Sequence, residues 1–116
     1  FSNEPKWVKG WVENLIKSQM WEGMSREEII AMKKRFVMVE ANTEYTGYLD
    51  MLLMSKCRHN IISNSSFSWW GAWINGHGDK LVVAPDKWVN DKDSEDVYTK
   101  GMVLVNAKGK VNRTIK

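Results

Sequence analysis

Apolar residues recur along the chain at two spacings, one typical of helices and one typical of strands. Residues 25–28 have the form of a capping box, which predicts a helix from Arg26 to about Lys34. The compact apolar run at residues 36–39 predicts a buried strand. An earlier helix, with its apolar face in the core, is predicted from residues three and four positions apart, with Ser2 or Asn3 as its cap: Trp7, Val8, Trp11, Val12, Leu15 and Ile16.

The second half of the chain continues this alternation of elements. Helical spacing returns at Tyr45 and ends near Cys57, and a strand at residues 60–63 precedes an aromatic helix closed by Asn75 and Gly76. Strands are also predicted at residues 80–84 and 102–105. A turn at residues 106–109 is expected to lead into residues 110–111, followed by a frayed tail. The order predicts an α/β fold with a parallel sheet, in which ligands bind beyond the carboxyl ends of the strands.

Residues 59–74, HNIISNSSFSWWGAWI, place a polar cluster between a strand and a helix. Asn64, Ser65 and Ser66 all suit the N-cap of that helix. A helix start exposes unpaired N–H groups and carries partial positive charge, so it is suited to a phosphate. The residues alone leave two interpretations open: a phosphate site, or serines that only cap a helix whose tryptophans fill a core.

Composition narrows the class of protein. The chain has 116 residues, a net charge of +3 and one cysteine, which fit one domain without a disulfide framework or a demand for nucleic acid. No apolar run is long enough to span a bilayer. Cys57, His59 and His77 do not have the spacing of a metal site. Glycine-rich nucleotide loops and a glycine-flanked serine nucleophile are also absent from the sequence.

Four blocks of the sequence resemble glycosyltransferase family 11. YLDMLLMSKCRHNII at residues 48–62 is followed by SNSSFSWWGAW at 63–73 and by VVAP with Lys87 and Trp88. The opening FSN with Trp7 is similar to an F-S-D-D-x-x-W segment, with Asn3 in place of an aspartate. The resemblance is dense over residues 46–90 and weaker over 1–12, and it does not extend to 17–34 or to most of the tail.

The resemblance implies an inverting α-1,2-fucosyltransferase of GT-B fold, which moves L-fucose from GDP-fucose to the 2-hydroxyl of a galactoside. Residues 1–90 would form the Rossmann-like donor-binding domain, and residues 91–116 a loop and tail packed on that domain. The family's H-x-R-R-x-D segment is expected upstream of Phe1, so we expect this chain alone to be inactive. The alternative is a stand-alone module that binds a sugar nucleotide or a glycan without catalysis.

The resemblance also assigns the donor site, residue by residue. Asp50 would contact guanine or ribose, and Ser65, Ser66 and Phe67 would hold the diphosphate end of the nucleotide. Asn64 and Ser68 complete the predicted donor-binding set. No catalytic residue is assigned in this chain, and no metal or other cofactor is expected.

The partners implied by the resemblance are GDP-fucose and a galactose-terminated glycan acceptor. The acceptor would be held by the missing N-terminal domain. Nucleic acid is not expected. The expected location is the bacterial cytoplasm or the periphery of the inner membrane, or the Golgi lumen for a eukaryotic protein.

Overall fold

The computed structural model describes residues 1–2, 4–40, 42–89 and 94–116, without the side chains of Met20 and Trp21. The predicted cap Asn3 and the predicted boundary between residues 90 and 91 lie outside these ranges. The chain divides into two compact units, residues 1–44 and 45–116. Within the described ranges, no helix is both long enough and apolar enough to cross a membrane.

The first unit contains two helices, α1 (Pro5–Trp21) and α2 (Arg26–Lys33). Proline is compatible with the first position of α1. It has no N–H, and an N–H at that position would have no acceptor within the helix. The capping box of α2 is confirmed: Ser25 and Glu28 each accept from the other's backbone N–H at 3.2 Å. The interior of this unit is small, with Ile16 and Ile29 buried at 4% and 7% exposure.

Two expectations for the first unit are wrong. Trp7 and Trp11 are 66% and 52% exposed, because two short helices bury only part of the apolar face of α1. Residues 36–39 form no strand. The N–H of Phe36 donates to the Lys33 carbonyl at the end of α2, and Val37 is 78% exposed. The run therefore continues from the helix as a segment that is not paired with a strand.

The second unit is built on a four-stranded sheet in the order β1-β2-β3-β4. The first three strands are parallel and β4 pairs antiparallel with β3, so the α/β class is confirmed and the expectation of an entirely parallel sheet is wrong. The elements are α3 (Gly47–Lys56), β1 (Asn60–Ile61), α4 (Ser66–Trp73), β2 (Val82–Pro85), β3 (Val103–Val105) and β4 (Val111–Thr114), with 3₁₀ turns at Glu44–Thr46 and Glu95–Val97.

The antiparallel strand also overturns the expectation of a frayed tail. A turn with Gly109 at φ +75° brings the chain back along β3. Ile115 then donates its N–H to Met102 at 2.8 Å and accepts from Gly101 at 2.7 Å. The C-terminal residues are therefore part of the sheet.

One face of the sheet and one side of α4 form the core. Alternate residues of β2 point to this face, so Val82 and Ala84 are buried while Val83 and Pro85 are half-buried. The buried cluster is Ile62, Ala72, Val82, Ala84, Met102 and Leu104, with Trp69, Trp88, Tyr98 and Ile115 packed against it. This core fixes the start of α4 relative to the strand ends.

The end of α4 is held by side chains rather than by the predicted Asn75–Gly76 signal. The C-cap is Ile74, and Gly76 is not among the glycines with positive φ. Lys80 places its Nζ 2.8 Å from the carbonyl oxygen of Ala72 and 2.7 Å from that of Asn75. The amide of Asn75, 2% exposed, donates to the Cys57 carbonyl and to Asn60 Oδ1, both at 2.7 Å.

Tyr98 ties the segment before β3 to the end of β2. Its hydroxyl donates to the carbonyl oxygen of Pro85 at 2.9 Å, and its ring meets that of Trp88 edge-on. Burial, and to a lesser extent the carboxylates of Glu95 and Asp86, raises the pKa of Tyr98 above its ordinary value of 10.0. The folded state therefore favours the neutral phenol that makes this hydrogen bond.

Replacing Tyr98 with phenylalanine tests this link. Y98F is expected to lower the free energy of unfolding by about 1 kcal/mol at neutral pH, through loss of one hydrogen bond. Because the folded-state pKa is raised, the stabilisation is present below pH 10 and is lost as the pH rises through the folded-state value, so the two proteins should converge there. Urea unfolding against pH measures this, with Y45F, at a residue 92% exposed, as control. A constant difference at all pH values would contradict it.

Candidate functional site

The carboxyl ends of the three parallel strands lie at one edge of the sheet. The loop of residues 63–65 follows β1, residues 86–89 follow β2 and residues 106–110 follow β3. In open α/β sheets this edge is where ligands bind. We refer to residues 63–66, the first of these loops and the start of α4, as the serine loop.

The start of α4 is not capped by a side chain. Ser65 is the N-cap, with φ −128° and ψ 131°, and its side chain makes no capping hydrogen bond. The first intrahelical bond runs from the N–H of Trp69 to the Ser65 carbonyl at 3.0 Å. The N–H groups of Ser66, Phe67 and Ser68 therefore have no acceptor within the helix.

The contrast with α2 shows that this is a property of the site and not of serine. At α2, the serine N-cap accepts from the N–H three residues along, and Glu28 satisfies the N–H of the cap itself. At α4 the residue three positions after the cap is Ser68. Its hydroxyl lies against backbone carbonyl oxygens of the preceding loop and not against the N–H of the cap. The same N-cap residue thus leaves the donors of α4 available to an external anion.

The hydroxyl of Ser68 holds the serine loop from its inner side. Ser68 is 9% exposed, and its Oγ lies 3.0 Å from the Ser65 carbonyl oxygen and 3.1 Å from that of Ser63. A hydroxyl has one proton and can donate to either carbonyl. The side chain of Ser68 is therefore occupied with shaping the loop, whereas Ser66 and Phe67 lie at the surface.

Asn64 joins the serine loop to the loop after β2. Its Nδ2 donates to the carbonyl oxygen of Trp88 at 3.3 Å. That second loop is itself fixed, since the N–H of Asp86 donates to Val105 and its carboxylate accepts from Asn112 at 3.2 Å. No local pattern in the sequence predicts this bridge between the loops, although the VVAP block with Lys87 and Trp88 contains the segment that Asn64 contacts.

Asp50 lies at the same end of the unit as the serine loop. Helices α3 and α4 run in the same direction: Met54 meets Gly71, where an added Cβ would lie 3.0 Å from the Met54 Cβ, and further along Cys57 accepts from Asn75. One turn before the Met54 contact, these helices carry Asp50 and Phe67. The structure thus brings most of the predicted donor site to one end of two adjacent helices.

Groups of both charges lie at this edge. Two helix starts with their partial positive charge face it, and Lys87 is exposed on the adjoining loop. The carboxylates of Asp50 and Asp86 are there as well. Across the described part of the chain, no three His, Cys, Asp or Glu residues are grouped as metal ligands would be. The expectation that no metal is needed stays a prediction.

Comparisons with known proteins give a consistent result. The family model described as Glycosyl transferase family 11 matches residues 1–106. The chain is 55% identical over 88 residues to the "O-antigen biosynthesis glycosyltransferase WbnK" of Escherichia coli, covering 76% of this chain and 23% of that protein. It is 38% identical over 68 residues to an "Alpha-1,2-colitosyltransferase" of Escherichia coli, covering 59% and 22%.

The chain therefore spans less than a quarter of the length of these curated relatives. No solved structure matches it.

The unused cap at α4 gives a prediction about stability. Ser65→Ala should change the free energy of unfolding by less than about 0.5 kcal/mol, because the side chain makes no capping bond that could be lost. Ser25→Ala, the matched change at α2, should cost about 1 kcal/mol. Urea unfolding compares the two variants. An equal cost at both helices would show that Ser65 caps α4 in solution.

Proposed function

The chain belongs to glycosyl transferase family 11, and we propose that it forms the part of a glycosyltransferase that holds the nucleotide-sugar donor. The observation that carries the proposal is the open start of α4, at the carboxyl edge of the sheet and beside Asn64 and Asp50. We further propose that the donor is GDP-fucose and that the enzyme transfers L-fucose, with inversion, to the 2-hydroxyl of a galactoside.

The acceptor position is supported by one relative. The name of that Escherichia coli protein, alpha-1,2-colitosyltransferase, specifies an α-1,2 linkage, the linkage that the family resemblance implies for this chain. The same name makes a colitose-bearing donor the competing candidate for the sugar. Activity with each donor on a galactoside acceptor, measured in the longer protein, distinguishes them.

The proposed reaction places negative charge where α4 begins. The acceptor hydroxyl attacks the anomeric carbon from one face and gives its proton to a base that we do not place in this chain. The bond to the β-phosphate oxygen breaks on the other face, and the bonding electrons leave with GDP. The N–H groups of Ser66, Phe67 and Ser68 are fixed donors for that growing charge, and fixed donors need no reorganisation as the charge develops. Asp50 is proposed to bind guanine or ribose, and Phe67 to lie against the nucleotide.

In this proposal, the side chains of two residues of the predicted donor-binding set hold the serine loop in its conformation and do not contact the nucleotide. Ser68 shapes the serine loop through the Ser63 and Ser65 carbonyls, and Asn64 links that loop to Trp88. The hydroxyls of Ser65 and Ser66 remain available to the diphosphate. We assign no catalytic base to this chain and no metal to its site.

Proline at position 66 tests the backbone donor directly. Ser66 is the first residue of α4, where proline is tolerated, and the extended backbone of Ser65 is the conformation that a following proline requires. Ser66→Pro removes the N–H together with the hydroxyl, whereas the matched Ser66→Ala removes the hydroxyl alone. Loss of a hydrogen bond to a charged group, about 1.5–3 kcal/mol, predicts that S66P binds GDP about 10- to 100-fold more weakly than S66A.

Calorimetric titration of GDP and guanosine into both variants measures the effect. Guanosine, which has no phosphate, should bind the two variants equally. Equal GDP affinity in S66P and S66A would contradict the assignment of the backbone donor. An unmodified chain that does not bind GDP at millimolar concentrations would contradict the proposal that this chain holds the donor.

A further inference from the structure

A cleft of about 510 Å³ lies at the opposite edge of the sheet from the serine loop. It is lined by residues that come before β2 and before β3, together with the last turn of α4, so it belongs to the amino edge of the strands. Its volume is in the range of small-molecule sites. The lining residues are Ala72, Trp73, Lys80, Val82 and residues 99–102.

Trp73 is the aromatic residue that lines the cleft. Its ring stacks on that of Trp69 with centroids 5.2 Å apart and planes 9° apart, so one face of the indole is covered. Trp69 is held in turn by a hydrogen bond from its Nε1 to the Val97 carbonyl at 2.7 Å. Trp73 is nevertheless 53% exposed while lining the cleft, which leaves indole surface open to a ligand.

The charge of the cleft is positive. Lys80 and Lys100 both line it, and no lining residue is an aspartate or glutamate. The ammonium of Lys80 lies 2.7 and 2.8 Å from two carbonyl oxygens at the end of α4. Lys80 therefore holds the last turn of α4 against the cleft, and its charge is already hydrogen-bonded. Lys100 forms none of the ion pairs found in the described ranges, and its side chain is exposed at the rim.

We propose that this cleft binds one carboxylate-bearing pyranose, a hexuronic acid unit of a glycan, outside the donor site. The C–H face of the sugar ring would lie on the electron-rich face of Trp73, the arrangement that an indole quadrupole favours. The carboxylate would lie toward Lys100, and the hydroxyl of Thr99, which also lines the cleft, would be a further partner. A glycan ligand is chosen because of the proposed function, on which this inference therefore rests in part.

Amide and indole N–H spectra of the ¹⁵N-labelled chain test the proposal with two matched sugars. Methyl glucuronide and methyl glucoside share a pyranose ring and differ in the carboxylate. Methyl glucuronide should shift the Trp73 indole N–H and the amides of Lys100 and Gly101 saturably across the millimolar range. It should bind about fivefold more tightly than methyl glucoside, the scale of one exposed charge pair.

Variants separate the aromatic contact from the charge. Trp73→Ala should abolish binding of both sugars, whereas Trp70→Ala should leave it unchanged, since Trp70 is 48% exposed on the same helix but does not line the cleft. Because W73A also loses the stack on Trp69, Lys100→Ala is the second variant. K100A should bind methyl glucuronide only as well as methyl glucoside.

Three results would overturn the inference: no shifts with either sugar, equal affinity for both sugars in the unmodified chain, or displacement of the sugar by GDP. The third would assign the cleft to the nucleotide. Failure of the proposed donor site is seen separately, at the amides of Ser66, Phe67 and Ser68 on addition of GDP. The two readouts lie at opposite edges of the sheet, so either proposal can fail alone.

Discussion

The hydroxyl of Ser68 reaches back to two carbonyl oxygens of the loop before its own helix, and the character of the site depends on this contact. A helix start usually satisfies part of its N–H groups with the side chain of the N-cap, as Ser25 does at α2. At α4 the loop is closed by a donor from the third helical residue, so the shape is fixed while the N–H groups stay available. An uncapped helix start is less stable by itself, and an anion bound there would recover that stability.

The rest of the second unit keeps this helix start in place. Leu104, completely buried, and its neighbours in β2 fix the sheet face on which α4 packs, while Lys80 and Asn75 hold the far end of the helix. At the near end, Asn64 connects the serine loop to the loop after β2. Because both ends of α4 are secured, its donors point to a defined place before any ligand arrives, which is the condition for electrostatic preorganisation.

Local patterns in the sequence predicted helices better than they predicted which segments pair as strands. The capping box at Ser25 and the helix after the serine loop depend on neighbouring residues, so they could be predicted. Residues 36–39 have the composition of a strand, but a strand also needs a neighbour, which composition does not supply. The turn that ends at Gly109 was predicted from local residues, but the antiparallel pairing of β4 with β3 depends on contacts that no local pattern encodes.

For the candidate site, the sequence correctly predicted that the serine loop lies between a strand end and a helix start. It could not predict which serine shapes the loop and which lies at the surface. Ser66 and Ser68 look equivalent in sequence, and only the fold shows that Ser68 turns inward while Ser66 faces solvent. The most direct test of the account is a titration of GDP and guanosine into the ¹⁵N-labelled chain without added metal. We expect GDP to shift the amides of Ser66, Phe67 and Ser68. Guanosine, which has no phosphate, should shift Phe67 but leave Ser66 and Ser68 unchanged. Equal shifts of Ser66 and Ser68 with both ligands, or GDP shifts confined to other residues, would contradict the account.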